Sequence, residues 1–200
     1  VDLEMEAKMQ ILKDTIMKYG IVKDHKILKV DSFLNHQIDP VLMDQIGDAF
    51  CQHFADQKIT KVLTIEASGI AIGLATARIL SVPLVFAKKV ESFNLDADTY
   101  HTEVFSYTKN KSYPVRVSKR FLQPTDRVLI VDDFLADGNA ALGLIDLVKQ
   151  AGAELSGLGI VIEKGFQPGG ELLRSLHIPL HSLAIIDSMS PEFIAFRTSI

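Results

Sequence analysis

An open, mostly parallel α/β sheet flanked by helices is the fold this sequence predicts. From Lys61 onward, short apolar runs alternate with stretches of helical period, the pattern of a parallel sheet covered on both faces. The 200-residue chain is 48% apolar and 23% charged, with a mean hydropathy of +0.20, which suits a soluble globular protein with a full core and excludes a disordered chain or a coiled coil. Two segments ahead of Lys61 carry helical stripes of their own and supply further cover for the sheet.

The first stripe is Met9, Leu12, Ile16 and Tyr19, within a helix predicted over Met5 to Tyr19 and stopped by Gly20. Asp39 and Pro40 then offer an N-cap and a first-turn proline to a second helix, with Leu42, Ile46, Phe50 and Phe54 on its apolar face and Cys51 and His53 as structural passengers. Lys61 to Glu66 is a strand, Ile70 to Leu80 a helix and Pro83 to Ala87 a strand. The unit repeats as Arg127 to Asp132, Asn139 to Gln150 and Leu158 to Glu163, and Leu180 to Ile186 is a last strand. In such a sheet, ligands gather where the strands end, so the loops after Ile65, Val131 and Ile162 are the places for a site. Between Lys88 and Lys119 a polar stretch, with Asn94 to Asp98 and extended pieces at Glu103 to Thr108 and Val115 to Ser118, reads as an antiparallel excursion of the kind that forms a lid or an interface.

Composition narrows the function. A net charge of −4 and a pI near 5.9 disfavour whole-surface binding to nucleic acid while leaving small anions open. One cysteine, Cys51, excludes an intrachain disulfide and fits a cytoplasmic setting. No apolar run reaches the roughly 20 residues of a spanning helix, and the start lacks the features of a signal peptide. Because the chain opens with Val1 and carries Met5 and Met9, residues 1–8 read as an added leader and residues 9–200 as a single domain. The six histidines form no metal motif, and neither a P-loop nor a dinucleotide fingerprint is present.

The chemistry concentrates in Val128 to Ala140. An apolar strand delivers Asp132 and Asp133, and the turn Ala136-Asp137-Gly138 then opens a helix at Asn139 and Ala140. Unpaired first-turn N–H groups and the helix dipole suit a phosphate. Carboxylates beside it suit ribose hydroxyls, which donate to them in charge-assisted hydrogen bonds. Together they suit a ribose 5-phosphate. A bare acidic pair also ends many strands without function, and it opens phosphoacceptor receiver domains, although residues 134–200 are too few for the rest of that module.

This stretch resembles the phosphoribosyl pyrophosphate signature of the type I phosphoribosyltransferases. The similarity covers nearly all of the chain after Met9, most nearly to the bacterial branch that acts on xanthine, and is carried also by Leu28 to Pro40, Ile65 to Ile70 and Val161 to Gly169. The resemblance implies that family's fold, with a small hood built from N-terminal and C-terminal segments, and transfer of a phosphoribosyl group from phosphoribosyl pyrophosphate to N9 of xanthine. It makes Asp132 and Asp133 the catalytic pair on the ribose. Ala136, Asp137, Gly138, Asn139 and Ala140 cradle the 5-phosphate, while Ala67, Ser68 and Gly69 take the pyrophosphate on backbone N–H groups. Leu28, Asn35 and Lys164 meet the base, Lys164 as donor to a purine carbonyl, with Phe166 either stacking on the purine or packing in the core.

Lys88 and Lys89 are either solvated or pyrophosphate contacts, and magnesium arrives on the substrate without a protein cage. A homodimer is implied by resemblance alone. Two departures stand out: Ala136 replaces the aspartate of hypoxanthine and guanine transferases, and Asp137 puts a carboxylate where many relatives have threonine. Alternatives are a hypoxanthine or guanine transferase, or a purine-responsive regulator, for which the N-terminal segment lacks a basic recognition helix.

Overall fold

The structure is a computed structural model that describes residues 3–89, 98–106 and 111–198. Helix α1 (Leu3–Tyr19) buries Leu12 and Ile16 as its spacing predicts. Tyr19 corrects the predicted stripe: it is 51% exposed, because the helix ends there, with the Gly20 N–H closing on the Ile16 carbonyl, and the Lys18 ammonium lies 4.8 Å over its ring. A small hairpin follows, β1 (Ile21–Lys23) antiparallel to β2 (Ile27–Lys29), then a π-helical turn over Asp31–Asn35. Neither was legible in the sequence, since three-residue strands carry no measurable period.

Helix α2 (Pro40–His53) starts where Asp39 predicts, its carboxylate accepting from the Val41 and Leu42 N–H groups at 2.9 and 3.1 Å. Leu42, Ile46, Phe50 and Phe54 are all buried. His53 stacks on His181 with ring centroids 3.6 Å apart, and burial, with His53 as its neighbour, pushes the His181 imidazole down to about 4.

The central sheet contains β3 (Lys61–Ile65), β4 (Leu84–Ala87), β7 (Arg127–Leu135), β8 (Glu154–Lys164), β9 (Leu180–Ser190) and β10 (Phe193–Phe196), in the order β10-β9-β8-β7-β3-β4. All neighbours are parallel except β10, which returns antiparallel along β9. Helices α3 (Gly69–Leu80), α4 (Asn139–Gln150) and α5 (Gly169–Ser175) follow β3, β7 and β8. One core joins α1, α2, the hairpin and the Asp31–Asn35 turn to one face of the sheet. The second core packs α4 and a long hairpin, β5 (Thr99–Ser106) with β6 (Lys111–Ser118), on the other face.

That hairpin is the antiparallel excursion, held to the sheet by the bridge between Lys88 and Arg116. Its predicted Asn94 to Ala97 portion, and Tyr107 and Thr108 of the first extended piece, lie outside the described residues. Strand β7 also corrects the prediction: it runs on to Leu135, so Asp132 and Asp133 sit inside the strand, where pairing of β7 with β8 continues past them. No described helix is long and apolar enough to cross a membrane.

Candidate active site

Strand pleating sets the two carboxylates. Successive side chains point to opposite faces, and Leu129 and Val131 belong to the core under the β1–β2 hairpin and the Asp31–Asn35 turn, the hood side, while Val128 and Ile130 belong to the other. Asp133 therefore turns to the hood side. Its Oδ2 accepts from Asn35 Nδ2 at 2.9 Å, and its Oδ1 accepts from Ser68 Oγ and the Phe134 N–H, each at 3.0 Å. Asp132 accepts the Asp133 N–H at 3.0 Å. Both are only 7% exposed. Burial, then the neighbouring Asp133 charge, raises the Asp132 carboxyl well above its ordinary range, and the Lys89 ammonium opposes this in part.

The loop between β3 and α3 brings Ala67, Ser68 and Gly69 beside this pair. Here glycine is obligatory, because a Cβ on Gly69 would lie 1.9 Å from Thr64 Oγ1 and 3.1 Å from Asp132 Oδ1. Thr64 cannot simply swing aside, since its hydroxyl donates to the Val131 carbonyl at 2.7 Å. Gly69→Ala is therefore expected to cost about 1–3 kcal/mol of stability and to raise KM for phosphoribosyl pyrophosphate roughly tenfold by shifting the loop by a fraction of its contact distance. Thermal melts and initial rates check both halves.

After β7, Ala136-Asp137-Gly138 turns into α4. Gly138 adopts φ +89° and caps the helix with no side-chain hydrogen bond, which leaves the N–H groups of Asn139 and Ala140 facing outward from the helix start. The Gly169 N–H bonds the Ala136 carbonyl at 2.9 Å, so the loop after β8 braces the turn. A hollow of about 160 Å³ opens over it, walled by Phe105, Tyr113 and Phe134. The Asn139 amide donates to the Phe105 carbonyl at 3.1 Å, tying the β5–β6 hairpin to the turn. Asp137 acts electrostatically on Lys164, raising its affinity for a proton, though burial outweighs this and lowers the ammonium's pKa.

Lys164, the last residue of β8, is half-buried; its Nζ donates to the Lys26 carbonyl in the hood hairpin at 2.8 Å and lies 5.6 Å over the Phe134 ring. Leu28, next along that hairpin, is 6% exposed and packs in the hood-side core. Phe166 is exposed on the loop beyond β8. The structure thus gathers Asn35, Ser68 and Asp133 in direct contact and sets Lys164 beside the hood.

Sequence reasoning missed Phe134, Tyr113 and Glu66. Phe134 carried a usable signal, being the first residue after the acidic pair in an otherwise packed strand. Tyr113 carried none, for it reaches the site only through the register of β5 with β6; its phenol is pushed up by burial and by the Asp132 charge, and the Lys89 ammonium stands 5.6 Å over its ring. Glu66 accepts the Lys89 backbone N–H at 2.6 Å, closing the end of β4 against the end of β3.

The acidic pair of β7 thus lies between the starts of α3 and α4, neither of which is capped by a side chain. The phosphoribosyl transferase domain model matches residues 32–172. The xanthine phosphoribosyltransferase of Lachnoclostridium phytofermentans is 58% identical over 184 residues, covering 92% of this chain and 95% of that relative. That of Laribacter hongkongensis is 56% identical over 189 residues, 94% of this chain and 100% of its own. Among solved structures, the adenine phosphoribosyltransferase of Rhodothermus marinus superposes with a TM-score of 0.74 at 26% identity, over 90% of this chain and 99% of that one. The Giardia lamblia enzyme, complexed with 9-deazaadenine, gives 0.72 at 27%, over 87% of this chain and 96% of that one. The chain belongs to the phosphoribosyltransferase family, and within it to the xanthine phosphoribosyltransferases.

Proposed function

We propose that this protein transfers the 5-phosphoribosyl group of phosphoribosyl pyrophosphate to N9 of xanthine, giving xanthosine 5′-monophosphate and pyrophosphate in purine salvage. The observation that carries the reading is the meeting of three sequence-distant segments at Asp133, with a bare helix start on either side and an ammonium group under the hood. Asp133 and Asp132 accept from the ribose hydroxyls, the α4 start holds the 5-phosphate and the α3 start faces the pyrophosphate. As the glycosidic bond breaks, positive charge grows on the ribose and negative charge on the leaving pyrophosphate, so fixed N–H dipoles at α3 act where charge develops. Phe105 and Tyr113 wall the phosphate turn against water, the competing nucleophile.

Base choice follows from Lys164. Its ammonium offers only donors, which suit the carbonyls of xanthine and find no carbonyl on adenine. Lys164→Ala is expected to raise KM for xanthine about tenfold or more while leaving KM for phosphoribosyl pyrophosphate within roughly twofold. Steady-state kinetics with each substrate varied in turn measures the split.

Among the described residues no cluster of three or more His, Cys, Asp or Glu is arranged to hold a metal, and the Asp133 oxygens are engaged with neutral donors. Magnesium would come with the substrate, keeping several waters and neutralising pyrophosphate charge. We place the enzyme in the cytoplasm as a homodimer. The β4 edge, with exposed Phe86 and a groove of about 500 Å³ beside it that includes Phe121, supports a surface for a second copy. Sedimentation should give twice the mass of the 22.1-kDa chain.

The deciding experiment incubates the protein with phosphoribosyl pyrophosphate, magnesium and, separately, xanthine, guanine, hypoxanthine, adenine and orotate. Preferential xanthosine monophosphate is the expected result. Preference for another base would overturn the base assignment, and no nucleotide from any base would overturn the enzymatic reading.

A further inference from the structure

We infer that Tyr113 is a positioning residue for the transfer: its ring face holds the Lys89 ammonium beside Asp132, and the ammonium keeps that carboxylate charged for the ribose. This role rests on the reading of Asp132 and Asp133 as the ribose carboxylates.

The hairpin register brings the ring there. Along β6, Tyr113, Val115 and Val117 alternate onto one face, and the two valines are buried in the core beneath the hairpin. Tyr113 stands opposite Val104, packs on the edge of that core and walls the hollow over the turn after β7. The end of β4 is clamped to the same strand β6: the Lys88 N–H donates to the Arg116 carbonyl at 2.9 Å, and the Arg116 N–H donates back to the Lys88 carbonyl at 3.0 Å. Glu66 accepts the next backbone N–H, that of Lys89, at 2.6 Å. From this fixed backbone Lys89 carries its Nζ to 5.6 Å from the centroid of the Tyr113 ring, inside the roughly 6 Å reach of a cation–π contact.

Asp132 is the group that needs the cation. Two carboxylates follow one another in β7, each 7% exposed, and buried charges of one sign oppose each other. Asp133 is supplied with donors by Asn35, Ser68 and the Phe134 N–H, whereas Asp132 accepts the Asp133 N–H. The groups that face Asp132 are Asp133 on its own strand, Lys89 from the end of β4 and Tyr113 from β6, with Glu66 beside Lys89 on the loop between β3 and α3. Among these Lys89 is the cation, and its charge opposes the rise that burial and Asp133 impose on the Asp132 carboxyl. A protonated Asp132 would present a donor where the ribose hydroxyls need an acceptor. A lysine stem is flexible and its ammonium strongly hydrated, so the half-buried ring face is what keeps the charge at this end of the sheet. The phenolic hydroxyl is not needed for this, because the attraction is to the face of the ring.

The test labels the full chain with carbon-13 at the aspartate Cγ and follows the Asp132 carboxyl, assigned through Asp132→Asn, in pH titrations of the wild type, Lys89→Met, Tyr113→Leu and Tyr113→Phe. Lys89→Met and Tyr113→Leu are each expected to raise the Asp132 midpoint by roughly half a pH unit to one unit, the lower end of what a nearby opposite charge does. Tyr113→Phe keeps the wild-type midpoint, because the ring face remains. The acid limb of kcat/KM for phosphoribosyl pyrophosphate should move upward by the same interval in the same two variants. A ring that served only as a wall against water would lower kcat on removal and leave the midpoint where it was. An unmoved midpoint in Lys89→Met or in Tyr113→Leu overturns the inference. Should Tyr113→Leu not fold, the wild type decides: the Lys89 ε-methylene protons must show an upfield ring-current shift, and its absence overturns the contact. Midpoints that move while no base yields nucleotide support the positioning and remove the proposed transfer, whereas nucleotide formation with unmoved midpoints removes the positioning and leaves the transfer standing.

Discussion

Asp133→Ala is expected to lower kcat/KM for phosphoribosyl pyrophosphate by on the order of a hundredfold or more. The charge-assisted hydrogen bond to a ribose hydroxyl is worth about 1.5–3 kcal/mol, and loss of the carboxylate's charge beside the positive charge that grows on the ribose brings the total to that factor. The variant should fold, since it exchanges a buried charge for a methyl group and leaves two half-buried donors within reach of water. Its KM for xanthine should change far less. Initial rates with phosphoribosyl pyrophosphate varied at fixed xanthine measure the effect, and a loss below roughly threefold would remove Asp133 from the ribose site.

Arg174→Ala is expected to destabilise the protein by about 2–3 kcal/mol at neutral pH, somewhat below the loss from breaking a fully buried pair because Arg174 keeps one side in solvent. Glu163, one residue before Lys164, is 1% exposed. Its oxygens accept from Arg174 Nη1 and Nη2, each at 2.7 Å, and Ser182 Oγ donates to Oε2 at 2.5 Å. Burial pushes the carboxyl up, but the hydrogen bonds from Arg174 and Ser182 and the arginine charge outweigh it and hold the pKa below the ordinary value. A carboxyl depressed in this way contributes its full stability above its unfolded value, near about 4.3, and loses it as pH falls through the folded value. Without Arg174, burial is opposed only by the Ser182 hydrogen bond and the more distant Arg197 charge, and the pKa rises. The gap between wild type and variant should be widest at neutral pH and close in acid. Urea midpoints across that range measure it, and equal midpoints at neutral pH would contradict the assignment. Because Glu163 anchors the end of β8, the variant should also weaken xanthine binding through Lys164.

These two residues differ in how far the sequence reveals them. Asp133 was legible because its neighbours are local: an apolar strand before it and a small-residue turn after it make an arrangement that chemistry recognises. Helices α2, α3 and α4 were legible for the same kind of reason, the Asp39-Pro40 cap and the apolar period being read over a dozen residues. Glu163 was not. Nothing next to it says that an arginine eleven residues later will close on it, since a salt bridge between β8 and α5 depends on how the chain turns at Gln167 to Gly169. The β1–β2 hairpin was equally silent, and with it the Lys26 carbonyl that holds Lys164.

The sequence by itself determined the alternation of strands and helices, and hence that a site lies where strands end. It also marked the residue types that meet there: an acidic pair, two small-residue turns and a lysine after a strand. Each is a local property, set by side-chain period, capping and backbone conformation within a few residues. Only the tertiary structure decided their company. That Asn35 reaches Asp133 across 98 positions of sequence, that Ser68 reaches it across 65, and that Tyr113 comes to Asp132 from a hairpin on the other face are consequences of sheet order and strand register. Register is set by the packing of two cores against one sheet, a sum over many long-range contacts that no short window of sequence contains.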